Sequence, residues 1–455
     1  MISSFKKFKN DFYSKFSDLS IFDGEDFNFF KVALEGLKVN YYSKLDFKTY
    51  VFCSDFKFYF LRILFQLKSI INGKYFDFKR HIKLAKKKTD YLIVEPGRYL
   101  LNSENKPIPI YFPKIFKKLS KTNNIFYVTE GSIPNCDFID DEYLDIYSFG
   151  ISITHPVSKS LRMQLISVLG KIKHKTSFNY TELQNITCAF QKFFVESIFW
   201  LNILETLRPK KILMISHYHH EGLIFAAKFL NIKIIEYQHG LISRNDIFYD
   251  FPKFIKNNHK DCLFAHQINV FGEFWKKILI EGNSYLDNEI KLIKYDLYYR
   301  SEPTEIEKNV LENFINTRKV ILICTQTYLE YHFINYISKL VTIIDNNLCI
   351  IVKVHPQEDI SSYSKFNSNS NILITKIPTD VLFNYASYHL TIYSTTAFDA
   401  LRYNLSTYYI FIEDCSEYIE ELNALIGGCI IKDYGVKFWE LNIKPKLHGQ
   451  VFFNV

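Results

Sequence analysis

The sequence predicts an α/β protein: two Rossmann-type domains facing a cleft, behind a helical N-terminal extension. Three observations predict it. Apolar, β-branched runs recur along the chain, among them YLIV from Tyr91, IKIIE up to Glu236, KVILIC up to Cys324 and LCIIVKV up to Val354. Helical patterns separate them, which is the mark of parallel strands buried on both faces. Each run breaks at polar residues where its strand should end, and open α/β sheets bind ligands outside the carboxyl ends of their strands. The length of 455 residues exceeds one hydrophobic core and suits two domains with an extension.

The elements follow in order. Residues 1–89 read as a mainly helical, basic extension. The first domain, 90–300, opens with a strand in TDYLIVEPGRYLL, a helix over 111–121 and a second strand in NIFYVTEG. One long helical stretch covers 157–207, between Pro156 and Pro209. KKILMIS is a strand, HYHHEG a turn, LIFAAKFLN a short helix and IKIIEYQHG the next strand, which together make a βαβ unit. An aromatic and charged passage, 241–300, finishes the domain. The polar segment SEPTEIEKN marks the boundary and starts a helix, so the second domain spans 301–455. There the strands are KVILICTQ, LCIIVKVHP, NILIT, HLTIYS and STYYIFI, with helices over 328–345, 379–386 and 396–403.

Composition excludes several classes. With 48% hydrophobic and 23% charged residues the chain is globular rather than disordered. The net charge of +8 resides in residues 1–90, which hold 18 Lys/Arg against 10 Asp/Glu, and the remainder is neutral at 38 against 38. A basic, aromatic extension of this kind suits adsorption to an anionic membrane surface. No nucleic-acid module accompanies it, so nucleic acid is not expected as a partner. Eight scattered cysteines show neither a zinc nor a disulfide spacing and read as a reduced, intracellular set. The opening MISSFKKFKNDFYSKF lacks the apolar core of a signal peptide, and FKFYFLRILFQLKSIING is broken by Lys57, Arg62 and Lys68. A cytoplasmic protein, peripheral on the inner face of the membrane, is the expectation.

The polar strand ends carry the chemistry. Lys353 and His355 lie two apart on one strand end, and Pro356 holds the chain extended up to them. A cation beside an imidazole suits a phosphate leaving group: the lysine supplies charge, and His355 donates a hydrogen bond or a proton. Ser394, Thr395 and Thr396 close a later strand and open a helix, where hydroxyls cap the N-terminus or bind phosphate. Thr325 ends the domain's first strand and could line the same cleft. In the first domain Glu236 and Gln238 share a strand face, followed by His239 and by Gly240, which would ease a sharp turn. His219 and His220 sit at the preceding strand's end, where a polar wall for acceptor hydroxyls is favoured over a metal site. Glu130, Glu95, Glu236 or His239 could each serve as the base.

On these residues the chain resembles the bacterial surface-polysaccharide glycosyltransferases of GT-B fold. AAKFLNIKIIEYQHGLIS is similar to a segment of that broad group. KVHP with a Ser/Thr pair about forty residues later is similar to the motifs of sialyl-, polysialyl- and Kdo-transferases and of teichoic-acid glycerophosphotransferases. The resemblance implies that His355 with Ser394 and Thr395 contacts the nucleotide phosphate. It also implies a nucleotide-sugar donor, CMP-sialic acid or CMP-Kdo foremost, and a capsule or lipooligosaccharide acceptor. No cofactor and no divalent metal are expected. Polysialyltransferases carry an acidic-acidic-Gly motif, where this chain has Thr129-Glu130-Gly131. Rival readings are a CDP-polyol phosphotransferase, a UDP-sugar 2-epimerase, and a non-catalytic membrane or nucleic-acid adaptor.

Overall fold

The computed structural model describes residues 89–96, 99–101, 107–109, 111–130, 143–145, 157–240, 263–293, 303–356 and 358–441, with Phe29, residues 31–34 and a few positions between 242 and 255. The expectation for residues 1–89 lies almost wholly outside this set, as do Gly131 and the side chain of Glu130.

The first of two compact units is built on strands β1 (Tyr91–Pro96), β4 (Ile125–Glu130), β5 (Tyr143–Asp145), β6 (Lys211–Ile215), β7 (Lys233–Tyr237), β8 (Gln267–Val270) and β9 (Ile290–Leu292). The short strands β2 (Tyr99–Leu101) and β3 (Pro107–Pro109) form a separate pair. The main sheet runs β5-β4-β1-β6-β7-β8-β9, and all its pairings are parallel. The order reverses at β1, so the switch point lies between β1 and β6. Val94, Met214 and Ile234 are fully buried, as strands covered on both faces require.

Two helices replace the single one expected over 157–207: Ser158–Lys175 and Tyr180–Leu207. The break has a local cause. Asn179 accepts the Glu182 N–H at 3.0 Å while the Glu182 carboxylate accepts the Asn179 N–H at 2.8 Å, a reciprocal cap that starts a new helix. The helix Glu221–Phe229 packs against Tyr180–Leu207 so closely that a Cβ on Gly222 would lie 2.5 Å from Glu196 Cβ. The glycine of HYHHEG therefore serves helix packing. The passage 241–300 supplies β8, β9 and the helix Glu273–Glu281.

The second unit has strands β10 (Lys319–Cys324), β11 (Leu348–Lys353), β12 (Ile372–Thr375), β13 (Ala386–Thr391), β14 (Thr407–Ile410) and β15 (Cys429–Ile431). Their order, β12-β11-β10-β13-β14-β15, is again fully parallel and reverses at β10. It is the doubly wound order of dinucleotide-binding domains, with its switch point between β10 and β13. The helix Glu305–Ile315 starts at a Thr304/Glu307 capping box, as SEPTEIEKN suggests. The expected helices are shorter than their patterns: Glu330–Ile343, Thr379–Phe383 and Thr396–Leu401. The helix Ser416–Ile426 and β15 complete the sheet beyond the stretch that periodicity marked.

Candidate functional site

In the first unit the polar groups gather at the carboxyl edge around the switch point. Glu95 sits near the end of β1 on the same face as Ile93, which packs with Tyr111, Phe112 and Tyr127. Its carboxyl is wholly buried and neither oxygen makes a well-formed hydrogen bond. Burial pushes its pKa up to about 8; weaker interactions with the Tyr127 hydroxyl and the Phe112 and Tyr111 N–H groups oppose the rise without cancelling it. At neutral pH Glu95 is a carboxylic acid and adds no charge to this edge.

His239 follows β7 in the same unit. Its Nδ1 lies 3.0 Å from Ser216 Oγ and its Nε2 2.8 Å from the Tyr218 hydroxyl, with the ring edge-on to Tyr111 at 6.4 Å. Both ring nitrogens are thus held by hydroxyls, and the ring remains half-buried. The backbone that presents these groups is unusual: Ser216 and His219 have φ of 62° and 69°, a left-handed conformation rare outside glycine. Gly240, by contrast, has no such φ, and a Cβ there would meet nothing within 4 Å. The left-handed residues at these strand ends are Ser216 and His219, after β6, and the chain after β7 needs no left-handed conformation at Gly240.

Glu236 turns to the other face of β7, with no exposure. It accepts the His217 N–H at 3.0 Å, His217 Nδ1 at 3.0 Å, the Tyr249 hydroxyl at 2.7 Å and the Tyr285 hydroxyl at 2.5 Å. Burial alone would raise its pKa, but His217 and the two tyrosines outweigh burial and hold it at about 2. Burial also keeps His217 below the usual histidine value. With so many donors spent on it, Glu236 is a structural anchor in the free protein. Gln238 is spent as well: its amide donates to Gly240 O at 2.8 Å and accepts the Phe271 N–H at 3.1 Å, which ties β7 to β8. His219 is exposed beside Tyr218 and Phe248, whereas His220 is buried at the start of the helix Glu221–Phe229. Glu130 ends β4 in register with Pro96 of β1.

In the second unit three strand ends meet at the switch point. Glu358, buried, accepts the His355 N–H at 3.0 Å, the Thr325 hydroxyl and, at 3.3 Å, the Tyr363 hydroxyl. The Glu358 N–H in turn donates to His355 O at 3.0 Å, so these two residues bind each other through both the carboxylate and the backbone. Thr325 Oγ1 also accepts the His355 N–H at 2.9 Å, so its hydroxyl braces the turn. Gln326 ties β10 to the loop after β13 by accepting the Tyr393 N–H at 2.9 Å. These bonds leave the His355 imidazole half-buried at the edge. Lys353 Nζ donates to Val354 O at 2.7 Å, and burial holds its pKa below the ordinary lysine value.

Ser394 Oγ accepts the Thr396 N–H at 3.2 Å, and Thr396 Oγ1 lies 3.2 Å from Nε2 of the buried His389. Burial pushes the His389 pKa down to about 3, so that ring is a neutral spacer between Thr396 and Thr407. Thr395 is exposed. Glu358 escaped the sequence reading. The i, i+3 spacing of Glu358 from His355 was the one local signal. Among the described residues, no group of three or more His, Cys, Asp or Glu side chains could hold a metal ion.

No protein-family model and no curated protein matches the chain. Solved structures similar to it include a co-structure of S. aureus MnaA with UDP, at 13% identity and a TM-score of 0.43, covering 73% of this chain and 82% of that one. Acinetobacter baumannii MurG is similar at 10% identity and a TM-score of 0.41, covering 80% and 92%. A glycosyltransferase from Rickettsia africae is similar at 13% identity and 0.40, covering 78% and 88%. Likenesses at this level assign neither activity nor substrate.

Proposed function

We propose that this chain is a glycosyltransferase of GT-B type that moves a sugar from a nucleotide-activated donor to a bacterial surface glycan. The observation that carries the reading is the carboxyl edge of the second unit. There β10, β11 and β13 are fastened by Glu358 and Gln326, and Lys353, His355 and Thr395 lie at or just beyond the same strand ends. A buried lysine and a backbone-anchored imidazole suit a departing phosphate, which gains negative charge as the glycosidic bond breaks. In the transfer, the acceptor oxygen bonds to the anomeric carbon, the bond from that carbon to the donor phosphate breaks, and the acceptor proton passes to a base. His239 is our choice for the base. It is half-buried, and Ser216 fixes its ring while the acceptor hydroxyl takes the place of Tyr218 on Nε2. Glu236, sequestered on the other face, positions His217 instead. CMP-linked sialic acid or Kdo is the donor favoured by the KVHP and Ser/Thr pattern, with no metal required.

One observation favours a second reading. A carboxyl held at about 8 at the switch point of the first unit is suited to moving a proton to or from carbon at neutral pH, which a UDP-sugar 2-epimerase requires. A thermal-shift panel of CMP, CDP, UDP, GDP and ADP with and without EDTA separates the cases. Stabilisation by CMP, indifferent to EDTA and lost in His355→Ala, supports the transferase. UDP preference, with product formed in the absence of acceptor, supports the epimerase. CDP preference supports polyol-phosphate transfer, and no shift with any nucleotide sinks all three.

A further inference from the structure

The helix Ser158–Lys175 carries five Lys or Arg and no acidic residue, although the chain beyond residue 90 is electrically neutral. Leu161, Leu165, Val168 and Ile172 are buried, which fixes the helix on the unit by one face. The opposite face, at 100° per residue, presents Lys159, Arg162, Met163, Ile166, Ser167, Gly170, Lys173 and His174. On it Met163 is 60% exposed and Ile166 53% exposed, side by side at i and i+3. Lys159, Arg162 and Lys173 are exposed and form no ion pair among the described residues. A Cβ on Gly170, in the middle of this face, would meet nothing within 4 Å.

We infer that this face is a docking surface for an anionic lipid bilayer. Apolar side chains ringed by unpaired cations match the interfacial region, where Met163 and Ile166 enter the acyl boundary while the cations remain among the headgroups. The exposed Met163 and Ile166 favour lipid over nucleic acid, whose backbone needs the cations alone. The helix is too polar to cross a membrane, and no described helix is long and apolar enough to do so. The inference stands apart from the enzymatic reading, since nothing in it involves the strand-end residues.

Gly170 supplies the test. Its open surroundings admit a side chain without a clash, and replacing a mid-helix glycine strengthens the helix, so misfolding does not confuse the result. Full-length protein is floated with phosphatidylcholine vesicles with and without phosphatidylglycerol, at low and high salt. Binding is expected only with phosphatidylglycerol and is expected to weaken with salt. Gly170→Glu should lower the partition coefficient by about fivefold, the effect of one charge near such a surface. Gly170→Leu should raise it. Equal partition of the native chain and both variants overturns the inference, as does Gly170→Leu binding more weakly than native. Binding of the native chain to a nucleic-acid duplex that Gly170→Glu abolishes, with no vesicle binding, would assign the face to a different partner and also overturn it.

Discussion

Glu236 Oε2 accepts a hydrogen bond from His217 Nδ1 at 3.0 Å, and neither side chain has any exposure. Because a carboxylate only accepts, the Nδ1 atom carries the proton and the other ring nitrogen is bare, without a hydrogen-bond partner. The pair sits at the ends of β6 and β7 and joins the HYHH turn to Tyr249 and Tyr285.

Removing the carboxylate in Glu236→Ala leaves these buried donors unsatisfied and should cost about 3–5 kcal/mol, read by urea denaturation. The pair also predicts acid sensitivity. Glu236 is held at about 2 against an ordinary 4.5, so its contribution is present above about 4.5 and is lost as the pH falls towards 2. His217 acts in the same direction, because the unfolded chain takes up a proton below 6.5 that the buried ring resists. A native stability that does not fall between pH 6.5 and 3 would contradict this assignment.

Glu95 predicts the opposite slope. The unfolded chain loses this proton near 4.5 and the folded chain keeps it up to about 8, so the group's contribution falls as the pH rises through that window. Glu95→Gln should therefore be more stable than native by about 2–4 kcal/mol at pH 8, with the gain shrinking towards pH 4.5. Denaturation midpoints of the two proteins at pH 5 and pH 8 check it.

His355 and Glu358 should separate chemistry from architecture. His355→Ala removes the imidazole and leaves the backbone bonds to Thr325 and Glu358 in place, so turnover should fall by at least about a hundredfold with the melting temperature unchanged. Glu358→Ala takes an acceptor from the Thr325 and Tyr363 hydroxyls and leaves the His355 N–H with Thr325 alone, and should cost about 1–3 kcal/mol of stability. The measurement is turnover beside thermal melting for both variants.

Lys353 should couple nucleotide binding to protons. Burial favours its neutral form, whereas a bound phosphate favours the ammonium, so binding takes up protons and affinity falls as the pH rises. Calorimetry in buffers of different ionisation enthalpy measures the uptake, which Lys353→Met should abolish.

The strand ends were legible because they are local. Alternation and β-branching located Lys353, His355, Ser394 and His239 at carboxyl termini, and the parallel pairing of β6 with β7 brings the HYHH turn beside Gln238 and His239. Periodicity could not divide 157–207 into two helices, since the break depends on one Asn–Glu cap and the apolar pattern resumes beyond it.

By itself the sequence determined the two alternating α/β stretches and the residue types at their polar ends. The tertiary structure decided which of those residues are spent. Glu236 meets Tyr285 across 49 positions, Gln238 meets Phe271 across 33, and Thr325 meets Glu358 across 33. The same packing that fastens them leaves His239 and His355 half-buried at the strand ends. The physical reason is that hydrophobic patterning repeats every two or four residues and is written in neighbours. Whether a buried polar atom is satisfied depends instead on which distant donor the completed sheet brings within 3 Å of it.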